Sequence, residues 1–244
     1  MRNALGTGRV AATALILALL GLACRPAAEP PPAREGLALA IVYDTSGSMA
    51  DSVANASGKP EPKYKIAARA ADSIFDQLEV YVRDAAPGTV REVQAELIVL
   101  DNIRARRAMR MQPFQSAAFK ERIETMSKPG GGTPLGNALK LAASDLLESP
   151  LTRKHVLVVT DGENTEGPAP ERVWPEIREE SQARGAGIQL HFVAFDVAAQ
   201  VFEPVKQLGA TVAGAGDEIQ LKERLEYILQ KKILLENEEL PSRE

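Results

Sequence analysis

One stretch constrains the fold of this chain more than any other: an apolar run that ends in a cluster of small polar residues. Residues 37–43 are almost wholly apolar, and Asp44, Ser46 and Ser48 follow at alternate positions. The run predicts a central β-strand with both faces covered. The polar residues then form a turn at the carboxyl end of that strand. One carboxylate and two hydroxyls are oxygen donors of the kind that a hard cation prefers.

Further apolar runs alternate with amphipathic stretches along the chain. The predicted strands are residues 37–43, 93–100, 105–111, 155–160, 189–195 and 210–214. The predicted helices have their apolar stripes within residues 66–78, 119–126, 135–146, 173–177, 201–208 and 219–235. Strands that alternate with helices favour an α/β fold with an open, doubly wound, mostly parallel sheet and helices on both faces. The arginine-rich strand 105–111 is expected at an edge of the sheet, where its side chains reach water.

A second carboxylate and a glycine-rich loop extend the pattern. Asp161 directly follows the predicted strand 155–160, and Thr133 lies in a Gly-Gly-Thr-Pro loop that opens a helix. Open α/β sheets bind ligands at the carboxyl ends of strands, where the strand order reverses. Asp44 and Asp161 both stand at such ends, which predicts a shared site. Each motif also has an ordinary structural alternative: polar turns at Asp44 and Asp161, and a helix N-cap at Thr133.

These loops resemble those of the von Willebrand factor type A domain family. The segments are DTSGSM from Asp44, GGTPL from Gly131 and VVTDGE from Val158, in the order of that family's metal-ion-dependent adhesion site. The Leu-Asp-Asn segment from Leu100 also looks like the family's strand end before its antiparallel edge strand. The resemblance covers residues 37–235. It implies a three-layer, Rossmann-like sheet with one short antiparallel edge strand.

The resemblance also implies a metal and its ligands. Ser46 and Ser48 would bind the metal directly through their hydroxyls, and Thr133 would do so in the ligand-bound arrangement. Asp44 and Asp161 would bind it directly or through water. The metal would be Mg²⁺, or Mn²⁺, which has a similar preference for oxygen ligands.

A metal held in this way indicates a binding protein and not an enzyme. Mg²⁺ keeps several waters, and neutral hydroxyl ligands leave it electrophilic at one open position. An acidic side chain of a partner protein can fill that position. The expected activity is therefore adhesion-type protein binding, in which no bond is made or broken.

Other function classes have weaker support. One alternative is a metal-independent envelope scaffold, in which the loops are turns only. Another is a metal-dependent phosphoester hydrolase with Asp44 as nucleophile, but Ser46 occupies the place of its second carboxylate. The sequence contains no Gly-x-Ser-x-Gly elbow, and Gly58-Lys59 lacks the upstream glycine of a P-loop. The net charge of -4 provides no argument for nucleic acid as a partner.

The first residues predict export from the cytoplasm. Arg2 and Arg9 form a basic region before the apolar residues 10–22, which are too short for an ordinary membrane span. This pattern is typical of a signal peptide over residues 1–23. The segment that ends at Cys24 resembles a bacterial lipobox, in which the cysteine is acylated and becomes the mature N-terminus.

Cys24 is the single cysteine, which favours acylation and excludes an internal disulfide or a cysteine zinc site. The alternative is ordinary secretory cleavage near Ala23 or Ala28. Pro- and Ala-rich residues follow Cys24 and predict an extended tether. The predicted product is a lipoprotein of the bacterial cell envelope that faces the periplasm or the cell surface, or a secreted protein. Its predicted parts are a signal peptide 1–23, a tether 24–36, a von Willebrand factor type A-like domain 37–235 and a polar tail 236–244.

Overall fold

A computed structural model describes residues 33–85, 91–126 and 128–235. The strands are β1 (Arg34–Tyr43), β2 (Ser52–Ala54), β3 (Pro60–Pro62), β4 (Val93–Asp101), β5 (Arg104–Pro113), β6 (Leu151–Thr160), β7 (Ile188–Phe195) and β8 (Thr211–Ala215). The helices are α1 (Lys63–Arg83), α2 (Ser116–Glu124), α3 (Leu135–Glu148), α4 (Pro170–Ala183), α5 (Glu203–Gln207) and α6 (Glu218–Tyr227). A π-helical segment, Ile228–Leu234, extends α6, and 3₁₀ turns cover Gly47–Ala50 and Ala199–Phe202.

Some of the sequence predictions concern other parts of the chain. The predicted signal peptide, Cys24 and the tail 236–244 lie outside the described residues. Within the ranges that are described, no helix is both long enough and apolar enough to cross a bilayer.

Six strands form one sheet in the order β5-β4-β1-β6-β7-β8. Neighbouring strands are parallel except β4 and β5, which are antiparallel. This confirms the predicted three-layer α/β fold, although the edge strand β5 is ten residues long and extends beyond residues 105–111. The strand order reverses at β1, which has β4 on one side and β6 on the other. The carboxyl ends of β1 and β6 therefore form the edge at which such folds bind ligands.

Strand β1 separates two apolar cores of different character. Its larger side chains, such as Leu39 and Ile41, face the core that includes α1, α2 and α6. Its smaller ones, Ala38 and Ala40, face the core that includes α3 and α4. Helix α3 packs on this second face of β1, and its inward positions include Ala138. Because side chains alternate along a strand, β1 is packed on both faces and the loop that follows it begins at a fixed point.

Residues 44–62 are mostly polar and rich in turn-forming residues, yet they contain regular structure. They contain a 3₁₀ turn and the antiparallel hairpin of β2 with β3. Arg69 on α1 joins this hairpin to α6. Its guanidinium lies 2.8 Å from Glu61 of β3 and 2.7 Å from Glu218 of α6. Each hairpin strand has only three residues, and β3 contains two prolines. Strands this short show no alternation, and proline argues against a strand, so the sequence pattern gave no sign of them.

A carboxyl group lies buried on β4 between the sheet and α3. The Glu96 side chain is fully buried, and neither of its oxygens accepts a hydrogen bond from a described residue. Burial raises the pKa of Glu96 to about 10, and the hydrogen bond to the Asp145 carboxylate and the charge of that carboxylate add to the rise. Arg107 pairs with Asp145, with Nη2 2.6 Å from Oδ1. Glu96 is therefore protonated at neutral pH.

Replacement of Glu96 by glutamine tests this protonation state. The pKa of Glu96 is about 10 in the folded chain, against an ordinary value of 4.5. The contribution of Glu96 to the free energy of unfolding is therefore complete below pH 4.5 and is lost as the pH rises toward about 10. Glutamine stays neutral, so Glu96→Gln is expected to gain free energy of unfolding relative to the wild type as the pH rises. The expected gain in urea titrations is up to about 1.4 kcal/mol per pH unit.

The matched control is Glu121→Gln on α2, where the side chain is exposed. This variant is expected to keep the pH dependence of the wild type. Stability curves of Glu96→Gln and the wild type that run parallel from acidic to basic pH would contradict the assignment.

Candidate metal centre

The candidate site lies where β1 and β6 end side by side. Tyr43 pairs with Val159 in the parallel register, and the N–H of Asp44 donates to the Val159 carbonyl at 3.0 Å. Thr160 is the last residue of β6, and Asp161 follows it. Because parallel strands present their carboxyl ends at one edge, the two aspartates leave the sheet as neighbours.

Asp44 is a buried carboxylate held by two hydrogen-bond donors. The N–H of Ser46 donates to Oδ1 at 2.7 Å, and the hydroxyl of Thr160 donates to Oδ2 at 2.5 Å. Burial raises the pKa of Asp44, while the hydrogen bonds from Ser46 and Thr160 act against that rise. A cation nearby would favour the ionised form, so this carboxylate suits a metal site.

Two serine hydroxyls lead from the β1 loop to Asp161. The Oγ atoms of Ser46 and Ser48 lie 3.2 Å apart, and Ser48 Oγ donates to Asp161 Oδ1 at 2.7 Å. Ser46 is buried and Ser48 is partly exposed, so the pair reaches from the interior toward the surface. Gly47 lies between them and donates its N–H to the Gly131 carbonyl at 3.0 Å. This bond joins the β1 loop to the glycine-rich loop.

Thr133 reaches the same point from the glycine-rich loop. A Cβ atom added to Gly162 would lie 3.7 Å from Ser48 Oγ and 3.8 Å from Thr133 Oγ1. The two hydroxyls therefore face one small space beside Gly162. The N–H of Thr133 donates to Thr165 Oγ1 at 2.8 Å, and the N–H of Thr165 donates to the Thr133 carbonyl at 3.1 Å. The loop after β6 thus fixes the position of Thr133.

The backbone at Gly131 needs glycine. Its φ of +83° lies in the left-handed region, and a Cβ atom there would lie only 2.6 Å from the Cα of Asn102. The glycine-rich loop therefore packs directly against the loop that follows β4. Thr45 connects the loop after β1 to the end of β4, since its hydroxyl donates to the Leu100 carbonyl at 2.5 Å.

A lysine and a third aspartate, neither of them predicted, join the cluster. Lys63 Nζ lies 3.0 Å from Asp161 Oδ2 and 2.9 Å from Asp196 Oδ2. Burial lowers the pKa of Lys63, but hydrogen bonds to Asp196 and Asp161 outweigh burial and raise it above its usual value. The site thus contains a fixed positive charge of its own.

The structure brings all five predicted ligands to one place. Asp44, Ser46, Ser48, Thr133 and Asp161 supply only hydroxyl and carboxylate oxygens, from three loops. Mg²⁺ and Mn²⁺ both prefer such ligands, so the chemistry of the donor set fits either ion. That these residues bind a metal stays a prediction.

Comparison with protein families identifies the family of this chain. The family model for the von Willebrand factor type A domain matches residues 38–219. The chain belongs to this family. No curated protein matches the chain in sequence.

Solved structures of bacterial pilus proteins are similar to this von Willebrand factor type A domain. The PilB minor pilin of Streptococcus sanguinis has a TM-score of 0.63 at 15% identity, covering 87% of this chain and 65% of that chain. The vWF domain of the type V pili tip protein Mfa5 of Porphyromonas gingivalis has a TM-score of 0.61 at 12% identity, covering 86% and 98%. The pilus adhesin SpaC of Lactobacillus rhamnosus GG has a TM-score of 0.58 at 13% identity, covering 84% and 31%. At these identities the likeness shows the fold alone.

Sequence reasoning missed three residues of this von Willebrand factor type A domain's site: Thr160, Lys63 and Asp196. Asp196 directly follows β7, as Asp44 and Asp161 follow their strands, so the same strand-end signal was present. Thr160 was visible as the polar last residue of a strand. Lys63 begins α1 after a polar segment, and nothing in its local pattern indicates a buried partner.

Replacement of Thr160 by valine tests the support of Asp44. Valine keeps the shape of threonine but lacks the hydroxyl, so one oxygen of the buried Asp44 loses its donor. The expected loss in free energy of unfolding is about 1–3 kcal/mol, measured in urea with a metal chelator present. The control is Thr152→Val at an exposed position of the same strand, expected to change stability by less than about 0.5 kcal/mol. Equal losses in the two variants would count against a specific role for Thr160.

Proposed function

We propose that this von Willebrand factor type A domain binds a partner protein through a divalent metal ion. The observation that supports the proposal is the convergence of oxygen donors from three separate loops. Ser48 and Asp161 are 113 residues apart, yet Ser48 Oγ lies 2.7 Å from Asp161 Oδ1. The hydroxyls of Ser48 and Thr133 face the same space beside Gly162. Loops that only connected strands with helices would not need to place these hydroxyl and carboxylate oxygens close together.

The proposed ligands are Asp44, Ser46, Ser48, Thr133 and Asp161, and the proposed ion is Mg²⁺ or Mn²⁺. The hydroxyls bind directly, and the carboxylates bind directly or through water. With neutral hydroxyls among its ligands, the ion stays electrophilic and accepts one further oxygen. That oxygen belongs to an acidic side chain of the partner. The activity is therefore binding and not catalysis.

The proposed location is the bacterial cell envelope. Residues 1–23 have the pattern of a signal peptide, and Cys24 stands where a lipobox places its acylated cysteine. The similar solved structures include a minor pilin, a pilus adhesin and a pilus tip protein. A lipid at Cys24 anchors the domain to the membrane, facing the periplasm or the cell surface. Without that lipid the domain is secreted.

Thermal unfolding of the full chain during Mg²⁺ titration tests the metal site. At about 100 times its Kd, a ligand of the folded state adds about 2.7 kcal/mol of stability. For a domain of this size that is a rise of roughly 5–10 °C in Tm. Asp44→Ala and Ser46→Ala are expected to abolish the rise, because each removes an oxygen ligand. Ser57→Ala, at an exposed serine, is the control that keeps it, and equal responses in every variant would refute the site.

A second candidate function is a metal-independent scaffold, and one observation favours it. Lys63 already pairs with Asp161, and Asp161 accepts a hydrogen bond from Ser48. The loops are thus joined by contacts within the protein. In this function they act as turns, and the partner binds without a bridging ion.

Capture of partners from envelope extracts separates the two functions. The immobilised full chain is compared with and without EDTA, and with Thr133→Ala. If binding is metal-bridged, EDTA and Thr133→Ala are expected to release the same proteins. Excess Mg²⁺ is then expected to restore capture by the EDTA-treated wild type but not by Thr133→Ala. Thr125→Ala, at an exposed threonine after α2, is the matched control and should retain capture. Proteins retained through both treatments would favour the scaffold.

A further inference from the structure

Lys63 and Asp196 are not among the proposed ligands, yet they lie against them. Lys63 Nζ is 3.0 Å from Asp161 Oδ2 and 2.9 Å from Asp196 Oδ2. The lysine side chain is 7% exposed, that of Asp161 is 0% exposed and that of Asp196 is 43% exposed. A buried ammonium is unfavourable unless it is paired and hydrogen-bonded. Its placement between two carboxylates meets that requirement.

Asp161 divides its two oxygens between the serine loop and the lysine. Oδ1 accepts from Ser48 Oγ at 2.7 Å, and Oδ2 accepts from Lys63 Nζ at 3.0 Å. A carboxylate with one oxygen bonded to a fixed ammonium has less negative charge to offer a second cation. The pairing therefore bears directly on how strongly the cluster attracts a metal.

Backbone hydrogen bonds position both Lys63 and its second carboxylate partner, Asp196. The N–H of Lys63 donates to the Asp51 carbonyl at 2.8 Å, where α1 begins. The N–H of Asp196 donates to the Ala215 carbonyl at 2.7 Å, at the end of β8. Asp196 has a φ of 53°, in the left-handed region that residues other than glycine seldom adopt and that Asp and Asn tolerate best. This conformation accompanies the contact of its carboxylate with Lys63.

We propose that Lys63 is an internal cation that weakens the divalent-metal affinity of this site, and that Asp196 holds it in place. The inference rests on the proposed metal-dependent function. Among the proposed ligands, Asp44 and Asp161 supply the negative charge, and the Lys63 ammonium beside Asp161 Oδ2 offsets part of it. The ammonium repels an incoming metal and competes with it for Asp161. The domain without a partner then has a low affinity for the metal. The carboxylate of an acidic partner raises that affinity, so the metal and the partner each increase the affinity for the other.

Mn²⁺ binding to the full-length chain measures this effect. The electron paramagnetic resonance signal of Mn²⁺ gives the concentration of unbound ion, and a titration then gives the Kd of the complex. Lys63→Met keeps an unbranched apolar chain and removes the charge, so it is expected to tighten binding by about tenfold. Lys65→Met removes the same charge from an exposed position of the same helix. Because solvent and salt screen that position, Kd is expected to stay within about twofold of the wild type.

Asp196→Asn is a second variant, for which the expected change in Mn²⁺ affinity is in the opposite direction. Asparagine tolerates the left-handed conformation, so the backbone is retained. The change removes one negative charge and leaves Lys63 to pair with Asp161 alone. Mn²⁺ binding is expected to weaken by about threefold. The Tm of each variant in chelator shows that it is folded.

The outcomes separate this inference from the proposed function. A folded Lys63→Met with unchanged or weaker Mn²⁺ binding overturns the inference, and so does Asp196→Asn with unchanged or tighter binding. If the wild type binds Mn²⁺, Asp44→Ala abolishes binding and Lys63→Met leaves it unchanged, the inference fails and the proposed function stands. If neither the wild type nor any variant binds Mn²⁺, both fail.

Discussion

The parallel pairing of β1 with β6 is the constraint on which the site depends. Tyr43 lies opposite Val159, so Asp44 and Thr160 leave the sheet together. A slip of one residue would turn every side chain of a strand to the other face. The two faces of β1 pack against cores of different side-chain size, so such a slip would put large residues where alanine fits. Core packing therefore sets the register, and the register brings the Thr160 hydroxyl to Asp44 Oδ2.

Three buried carboxyl groups near this sheet are stabilised in three different ways. Asp44 accepts hydrogen bonds from a backbone N–H and a hydroxyl. Asp161 pairs with the ammonium of Lys63. Glu96 has a pKa raised to about 10 and keeps its proton. The first two lie at the carboxyl edge of the sheet, where folds of this class bind ligands, and the third lies in the core. Position relative to the edge thus separates the two carboxyls of the candidate site from the one in the core.

Much of the fold and part of the site could be predicted from local patterns. The apolar run before Asp44 and the one before Asp161 each indicate a buried strand, and their aspartates indicate strand ends. The Gly-Gly-Thr-Pro segment correctly marks the start of α3 after Pro134. These features are readable because side-chain periodicity and turn chemistry act over a few residues. The hairpin β2–β3 was missed because its strands are too short to have a period.

The sequence by itself determined the α/β class, the six main strands and the oxygen-bearing residues at the ends of two of them. Only the tertiary structure decided that Lys63, 98 residues from Asp161, lies between that aspartate and Asp196. It also decided that Thr160 supports Asp44 and that Glu96 faces Asp145. A local pattern specifies which face of a strand or helix is buried. It does not specify which distant side chain that face will meet, because this depends on how all strands and helices pack together.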